Sequence, residues 1–565
     1  TPLSGGKNGA SHIELNPVNG DMILNGNFYN DNNLPFQVYG ANSKMLTIGT
    51  ALTGNTNVSL TIEAYSKVKI TVAQTWGNSS NGANINAGEL WMDNGGSLNS
   101  NVKVTVGLSD ANTAKMFLSA TGETFANAIT VNNAGGQKVI GGLNTSGNNK
   151  YSGTVTLNGQ AELAAWNGGT VEFANVISGN GQNIVINGYN ESNFVGTVIY
   201  SAANTYSGGT FISSGTLQFN SGGTAASSAL YLGDTANAFP ATLALGVTSG
   251  GQSLPNTINV RSGSSGGKSI ISLNNSGTNT LSGAVTLNDN VSLTQTSGGT
   301  LGLSGSITGS SYGITVNGSG GTVILPNTSN SYSGATTVSA GTLVVSGSLT
   351  ATSSVNVSSG ANLTVNGGIV SSAAVSLSGT LSGTGSVGAI TAASGSILTP
   401  GGASTGALSS GSLNLQTGSV LSIRLGGTSV TAYDHLNING GITISGSLTG
   451  SLINGYNFNI AVYNASGILT SAPGDKIALT IGALSTSGAF ANQVAGTPYS
   501  DFAPTINLGG VNFAVFYGGV GSTLATTGGH DVVLLAVVPE PATWGSIMIG
   551  SAFLLTYRRR SAMRR

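Results

Sequence analysis

The chain has no cysteine in 565 residues. Disulfides, thiolate nucleophiles and cysteine metal sites are thereby excluded. Charge is almost as scarce, since Asp, Glu, Lys and Arg make up 6% of the residues against about 25% in ordinary soluble domains. Between residues 235 and 433 the only charged side chains are Arg261, Lys268, Asp289 and Arg424. A nucleic-acid footprint needs clustered Lys and Arg, so no nucleic-acid partner is expected. Histidine occurs only at His12, His435 and His530. These lie far apart in sequence with no metal-ligand spacing, so neither a metal nor another cofactor is expected.

What the chain does have is glycine, 88 residues of it, with 39% hydrophobic residues. Low charge alone would suggest disorder, but Val, Ile and Leu recur throughout and supply apolar surface to bury. Glycine and β-branched density oppose helix along nearly the whole length, which points to an all-β chain. The net charge of −1 hides an asymmetry: five of seventeen cations fall in the last eight residues, leaving the remainder at −6. The chain starts at Thr1 without a methionine or an apolar leader; the expectation is an N-terminus that has been truncated or processed.

Internal repetition sets the architecture. Asn204-Thr205-Tyr206-Ser207-Gly208-Gly209-Thr210 leads to Gly215-Thr216-Leu217, and Asn330-Ser331-Tyr332-Ser333-Gly334-Ala335-Thr336 leads to Gly341-Thr342-Leu343. Weaker copies begin at Asn149 and Asn279, and Leu143-Asn144, Tyr151 and Ile177 have counterparts 130 positions later at Leu273-Asn274, Leu281 and Ile307. A block of residues 142–219 therefore reads as duplicated in 272–345. Within each copy, Thr210, Ile212, Leu217 and Phe219 share one face of two short runs, with Gly215 turning between them. One such rung cannot bury its apolar side alone, so neighbours must stack on it. Corner asparagines such as Asn204 and Asn330 tolerate left-handed turns and can hydrogen-bond to the next rung.

These copies resemble the autotransporter-associated β-strand repeat. The resemblance implies a right-handed parallel β-helix and a passenger-type body, with Tyr206, Gly208, Thr210, Gly215, Leu217, Tyr332, Gly334, Thr336, Gly341 and Leu343 as the repeat signature. Residues 1–110 hold a larger share of the charges and read as an N-terminal β section or cap, and residues 111–402 as the repeat body. Residues 403–537, with Phe490, Tyr499, Phe502, Phe513, Phe516 and Tyr517, read as a C-terminal β section or cap, which a solenoid needs over its open edge.

The last segment, residues 538–565, is separate. Val538, Pro539, Glu540 and Pro541 interrupt regular structure, and an apolar run follows to Tyr557, ahead of Arg558, Arg559, Arg560, Arg564 and Arg565. As a helix of about 1.5 Å per residue, residues 542–557 span roughly 24 Å, which Trp544, Tyr557 and snorkelling arginines can extend towards a core of about 30 Å. Arginine is costly at mid-bilayer, so the cluster stays on the cytoplasmic side and the body is exported. This order of parts resembles the PEP-CTERM sorting signal of Gram-negative bacteria. The resemblance implies processing by an exosortase, transient anchoring in the inner membrane, and delivery to the cell surface or an exopolysaccharide matrix. A passenger with its own β-barrel is not expected, because one helix and an arginine cluster stand where barrel strands would.

Catalytic patterns are weak, and no catalytic residue is assigned. Asp434-His435 opens a strand-like run and reads as a turn feature rather than part of a triad. Gly309-Ser310-Ser311-Tyr312-Gly313 precedes a strand where a nucleophile elbow needs a helix, and Gly383-Thr384-Gly385-Ser386-Val387-Gly388 lacks the helix and acidic partner of a dinucleotide site. Glycine-rich turns such as Gly179-Asn180-Gly181 lack the Asp of calcium-binding repeats. The expected function is a non-catalytic surface or matrix solenoid, adhesive or exopolysaccharide-associated. The alternative is a polysaccharide lyase or hydrolase, whose groups could come only from Glu63, Lys67, Lys69, Glu89 and Asp93 in the charged N-terminal section.

Overall fold

In the computed structural model the described residues run from Ile13 to Val537, without 454–455, 458–473, 495–503 and several shorter loop segments; residues 1–12 and 538–565 lie outside them. The expected C-terminal helix, with Val538, Pro539, Glu540, Pro541, Trp544, Tyr557, Arg558, Arg559 and Arg560, therefore falls outside the described residues, as do His12, Tyr499 and Phe502. Among the described residues every regular element is a strand, and no helix is long and apolar enough to cross a membrane. The chain divides into two units, Thr1–Leu343 with Ser348–Thr352, and Val344–Gly347 with Ser353–Arg565.

The first unit is a parallel β-solenoid. Its strands are short because glycine and asparagine corners interrupt the β-branched runs every few residues, so each rung closes on itself and pairs with the next. One sheet stacks thirteen strands, from Met22–Leu24 to Ile307–Gly309, and another stacks eight, from Ile13–Leu15 to Ile177–Ser178. Parallel pairing already begins between Ile13–Leu15 and Phe36–Val38. In the larger sheet an inward column runs through Leu46, Val68, Leu90, Met116, Ile140, Leu163, Ile186, Ile212, Leu232 and Val260. All of them are buried, at roughly 1.5–3 kcal/mol for each large aliphatic side chain. A slip of one residue would turn this column to solvent, so the alternation fixes the register.

A third face carries an aromatic seam inside the coil. Phe125, Tyr151, Phe173, Tyr200 and Phe219 occupy paired positions on five successive rungs, with Tyr151 and Phe173 stacked at 5.0 Å and Tyr200 edge-on to Phe219 at 5.5 Å. Burial pushes the Tyr151 and Tyr200 hydroxyls well up from 10.

Corners are tied by amide side chains. The Asn204 Oδ1 accepts from Ile177 N at 2.8 Å while its Nδ2 donates to the Thr224 carbonyl at 2.8 Å, so one side chain ties three rungs. Asn330 repeats the device, accepting from Ile307 N at 3.0 Å and donating to Ser348 O at 3.1 Å. The inter-rung bonds expected of these two residues are present, but the left-handed turn falls on other asparagines, Asn94 and Asn187. Asn204 lies in extended backbone, because bonding both neighbouring rungs requires its side chain to lie in line with the stack.

The duplication preserves rung chemistry but not position around the coil. Val155–Leu157 lies in the eight-stranded sheet, whereas its sequence counterpart Val285–Leu287 lies in the thirteen-stranded sheet that holds Ala161–Ala165 of the first copy. An offset of 130 residues is thus not a whole number of turns. Asn149 and Asn279 nevertheless play the same part, accepting from the amides of Glu123 and Gln252 at 3.0 Å.

The second unit is also a parallel stack, with inward columns such as Leu363, Leu381, Leu398, Leu421 and Leu448. The strand Ile397–Pro400 pairs along its whole length with Thr380–Gly383, and with the following strand at Ile397 and Leu398. Its final part changes direction: Lys476–Ala478, Asp531–Val537, Val511–Gly519 and Thr505–Leu508 form an antiparallel sheet. Phe490 and Phe513 are buried in this region, and the Tyr517 hydroxyl accepts from Phe490 N at 2.9 Å.

The Asn204 device is testable. Asn204→Ala leaves a buried donor and a half-buried acceptor unmet and should lower the unfolding free energy by about 1–3 kcal/mol, whereas Thr205→Ala at the exposed neighbour should change it by less than about 0.5 kcal/mol. Equal denaturant midpoints for the two variants would contradict the role assigned to the amide.

Candidate functional site

The repeat-signature residues all point into the coil or line its close contacts. Tyr206 and Tyr332 are fully buried, and each hydroxyl meets the threonine four residues on, Thr210 and Thr336, at 2.6 Å. Burial raises the Tyr206 pKa to about 12 and raises that of Tyr332 too. A Cβ at Gly208 would collide with the Gln182 carbonyl, and one at Gly334 with the Tyr312 carbonyl group. Gly215 and Gly341 hold positive φ of 62° and 73°, which glycine adopts without strain. Leu217 and Leu343 complete the core. These ten residues make the rung, and none of them offers chemistry to a ligand.

Asp434 and His435 are adjacent but face different partners. The Asp434 carboxylate, fully buried, accepts from Arg424 Nε at 2.7 Å, Arg424 Nη2 at 3.0 Å, Arg424 N at 2.9 Å and Gly406 N at 3.1 Å. That bidentate clamp ties neighbouring segments of the second unit. His435 lies in the strand His435–Ile438 with Nδ1 3.5 Å from the Tyr433 carbonyl oxygen, and burial lowers its pKa. Ser311 holds a φ of 70° just ahead of the strand Ile314–Leu325, and Thr380–Gly383 is likewise followed by no helix.

Chemistry-bearing side chains converge instead on the outward face of the thirteen-stranded sheet. Alternation puts one outward residue between each inward pair, and the register lines these up as Lys67, Glu89, Lys115, Val139, Glu162, Val185, Phe211, Tyr231 and Asn259. At one end the column is ionic. Glu89 pairs with Lys67 at 3.5 Å and Lys115 at 3.4 Å, and Lys69 with Asp93 at 3.2 Å. Trp91 donates from Nε1 to Glu89 at 2.8 Å, with Lys67 and Lys69 5.7 and 5.8 Å from its ring. The charged N-terminal residues singled out in the sequence are thus brought together and pair with one another; Glu63 stands apart, accepting from Asn86 at 2.8 Å.

In the middle, Phe117 and Trp166 pack on Phe194, at 5.8 and 5.2 Å. Beyond them a cleft of about 430 Å³ opens, lined by Lys138, Gln160, Glu162, Asn183, Val185, Phe211, Asp234 and Arg261 among others. Phe211 and Tyr231 stack at 4.5 Å with planes 6° apart, and the Arg261 guanidinium lies 5.6 Å from the Phe211 ring. Lys138 turns its ammonium onto the carbonyls of Ala134, Gly135 and Gly136, with Gly136 at 2.7 Å, and burial lowers its pKa. Among the described residues no group of three or more His, Asp or Glu is placed to hold a metal ion.

Sequence reasoning missed this cleft. The readable signal was an aromatic at the middle of two three-residue strands, Thr210–Ile212 and Leu230–Leu232. Their stacking and the arrival of Glu162 and Arg261 beside them depend on register between rungs, which spacing alone does not fix.

Beside the ionic column, neither Glu123 carboxylate oxygen has a donor at hydrogen-bond geometry. Burial, with a contribution from Asp93, raises its pKa from 4.5 to about 7, although the nearby amides of Ala120, Gly95 and Ser119 favour the charged form. The folded state therefore keeps a proton that the unfolded chain releases; this stability is full below about pH 4.5 and is lost as pH rises towards 7. Glu123→Gln should match the wild-type thermal midpoint at pH 4 and exceed it at pH 8, read by circular dichroism. Equal midpoints at both pH values would contradict this.

The comparisons with known proteins fit the rung geometry. A family model described as the passenger-associated transport repeat matches residues 195–219 and 314–345, the two segments that carry Tyr206 to Leu217 and Tyr332 to Leu343. No curated protein matches the chain. Over those two segments the chain is similar to passenger-associated transport repeats, set in an all-β parallel solenoid, and that family implies an exported protein at the surface or outside the cell.

Proposed function

We propose that the chain is an exported, passenger-like β-solenoid that works without catalysis at the cell surface or in an extracellular matrix, as an adhesive or exopolysaccharide-associated structure. The observation that carries the reading is the match of the repeat model to segments whose signature residues are all spent on building the rung. The pairing of the N-terminal ionic residues with one another supports the non-catalytic reading, since charges committed to Glu89 and Asp93 in a ladder are already neutralised. Delivery rests on residues 538–565. In this proposal Val538, Pro539, Glu540 and Pro541 form the recognition motif of an exosortase, and the segment 542–557, with Trp544 and Tyr557 at the interfaces, holds the chain in the inner membrane until cleavage. Arg558, Arg559 and Arg560 keep the end cytoplasmic. The source is a Gram-negative bacterium in this reading.

Fractionation of cells with and without the exosortase tests it. Without the enzyme an uncleaved form should accumulate in the inner membrane, and replacing Arg558, Arg559 and Arg560 together by glutamate should reduce correctly oriented export several-fold. Unchanged release in both experiments would overturn the sorting part of the proposal.

A further inference from the structure

We propose that the cleft beside Phe211 binds a neutral polysaccharide. This deepens the proposed function and rests on its placing of the protein among extracellular polymers. The cleft's volume of about 430 Å³ falls within the usual range of about 300–1,000 Å³ for small-ligand sites, and it opens on an outward sheet face. The ladder explains why it exists there. The outward column passes from Val185 to Phe211 and Tyr231, so a short side chain is followed by two large rings, and the step leaves a hollow with an aromatic wall. Tyr231 stacks on Phe211 and Arg261 lies 5.6 Å from the Phe211 ring, which together hold that wall in place.

The lining chemistry selects the ligand. A sugar residue presents hydroxyls, each both donor and acceptor, around an apolar C–H face. Phe211 supplies the apolar panel, Glu162 and Asp234 supply acceptors, Arg261 supplies donors, and the Gln160 and Asn183 amides supply both. The two carboxylates are balanced by Arg261 and Lys138, so the cleft has no excess charge with which to hold a uronic-acid or sulfated polymer or to exclude a neutral one. The aromatic content is small for a protein partner, whose anchors need a desolvated pocket within a much larger buried area. Geometry favours a chain over a single sugar. Rungs repeat at about 4.8 Å, close to the length of one pyranose unit in an extended glycan, so a polymer laid along the stack meets a new rung with each residue.

The test uses the full-length chain and soluble polysaccharides in affinity electrophoresis: dextran, mannan and galactan as neutral probes, alginate and polygalacturonate as acidic ones. Wild type should be retarded by at least one neutral polymer. Phe211→Ala and Gln160→Ala, at half-buried and exposed outward positions, should each weaken that retardation about tenfold or more with the circular dichroism unchanged. Tyr39→Ala, an exposed tyrosine outside the cleft, should leave it intact. Retardation by acidic polymers alone, by none of the panel, or equally in wild type and both cleft variants would overturn the proposal. None of these results depends on sorting, so the cleft can fail while the fractionation outcome stands, and the reverse.

Discussion

Everything in this molecule depends on one rung satisfying the backbone of the next. Each short strand leaves its amides and carbonyls to a parallel neighbour, and the same stacking aligns inward side chains into columns such as Leu46 to Val260 and Phe125 to Phe219. A rung that lost its neighbour would expose both its polar edge and its apolar face at once. That coupling explains the composition. A solenoid draws its stability from repetition of aliphatic contacts and ladder bonds, so it needs few ion pairs, and only 6% of the residues are charged. It also explains where glycine is indispensable: at Gly208 and Gly334 the next backbone passes where a side chain would stand.

Where charge is present it is placed with a purpose that the stack defines. Asp434 closes a clamp on Arg424 in the second unit, and Glu89 sits between two lysines of adjacent rungs in the first. Parallel pairing brings Glu89 to lysines 22 and 26 positions away, whereas an antiparallel bridge between Leu425 and Tyr433 brings Asp434 back to Arg424, 10 positions away. The inward and outward faces of a strand therefore divide the labour. Inward residues make the coil, and outward residues, free of that duty, determine what the surface can meet.

Much of this was legible in the sequence and some was not, for the same physical reason. Thr210, Ile212, Leu217 and Phe219 announce alternation and a turn at Gly215, because side-chain period and glycine's conformational range are local properties. The repeated Asn-x-Tyr-Ser-Gly beat announces stacking, and the inter-rung bonds of Asn204 follow from it. The cleft is not local. Val185, Phe211 and Tyr231 come from three rungs of unequal length, separated by 26 and 20 positions, and only the register between rungs lines them up. The same variability turned the second copy of the duplication around the coil, placing Val285–Leu287 on a different sheet from Val155–Leu157. Counting residues along the chain could find the copies but not their positions around the stack.

The absence of natural cysteine makes the division of faces open to direct measurement. Single cysteines placed at successive positions from Thr210 to Phe219 in the full-length chain would each report accessibility to a maleimide reagent under native conditions. The account predicts an alternating result, with fast labelling at positions 211, 216 and 218 and protection at 210, 212, 217 and 219. Labelling that rises and falls without that period, or that reaches the signature positions as readily as their neighbours, would contradict a stacked coil with an inward signature.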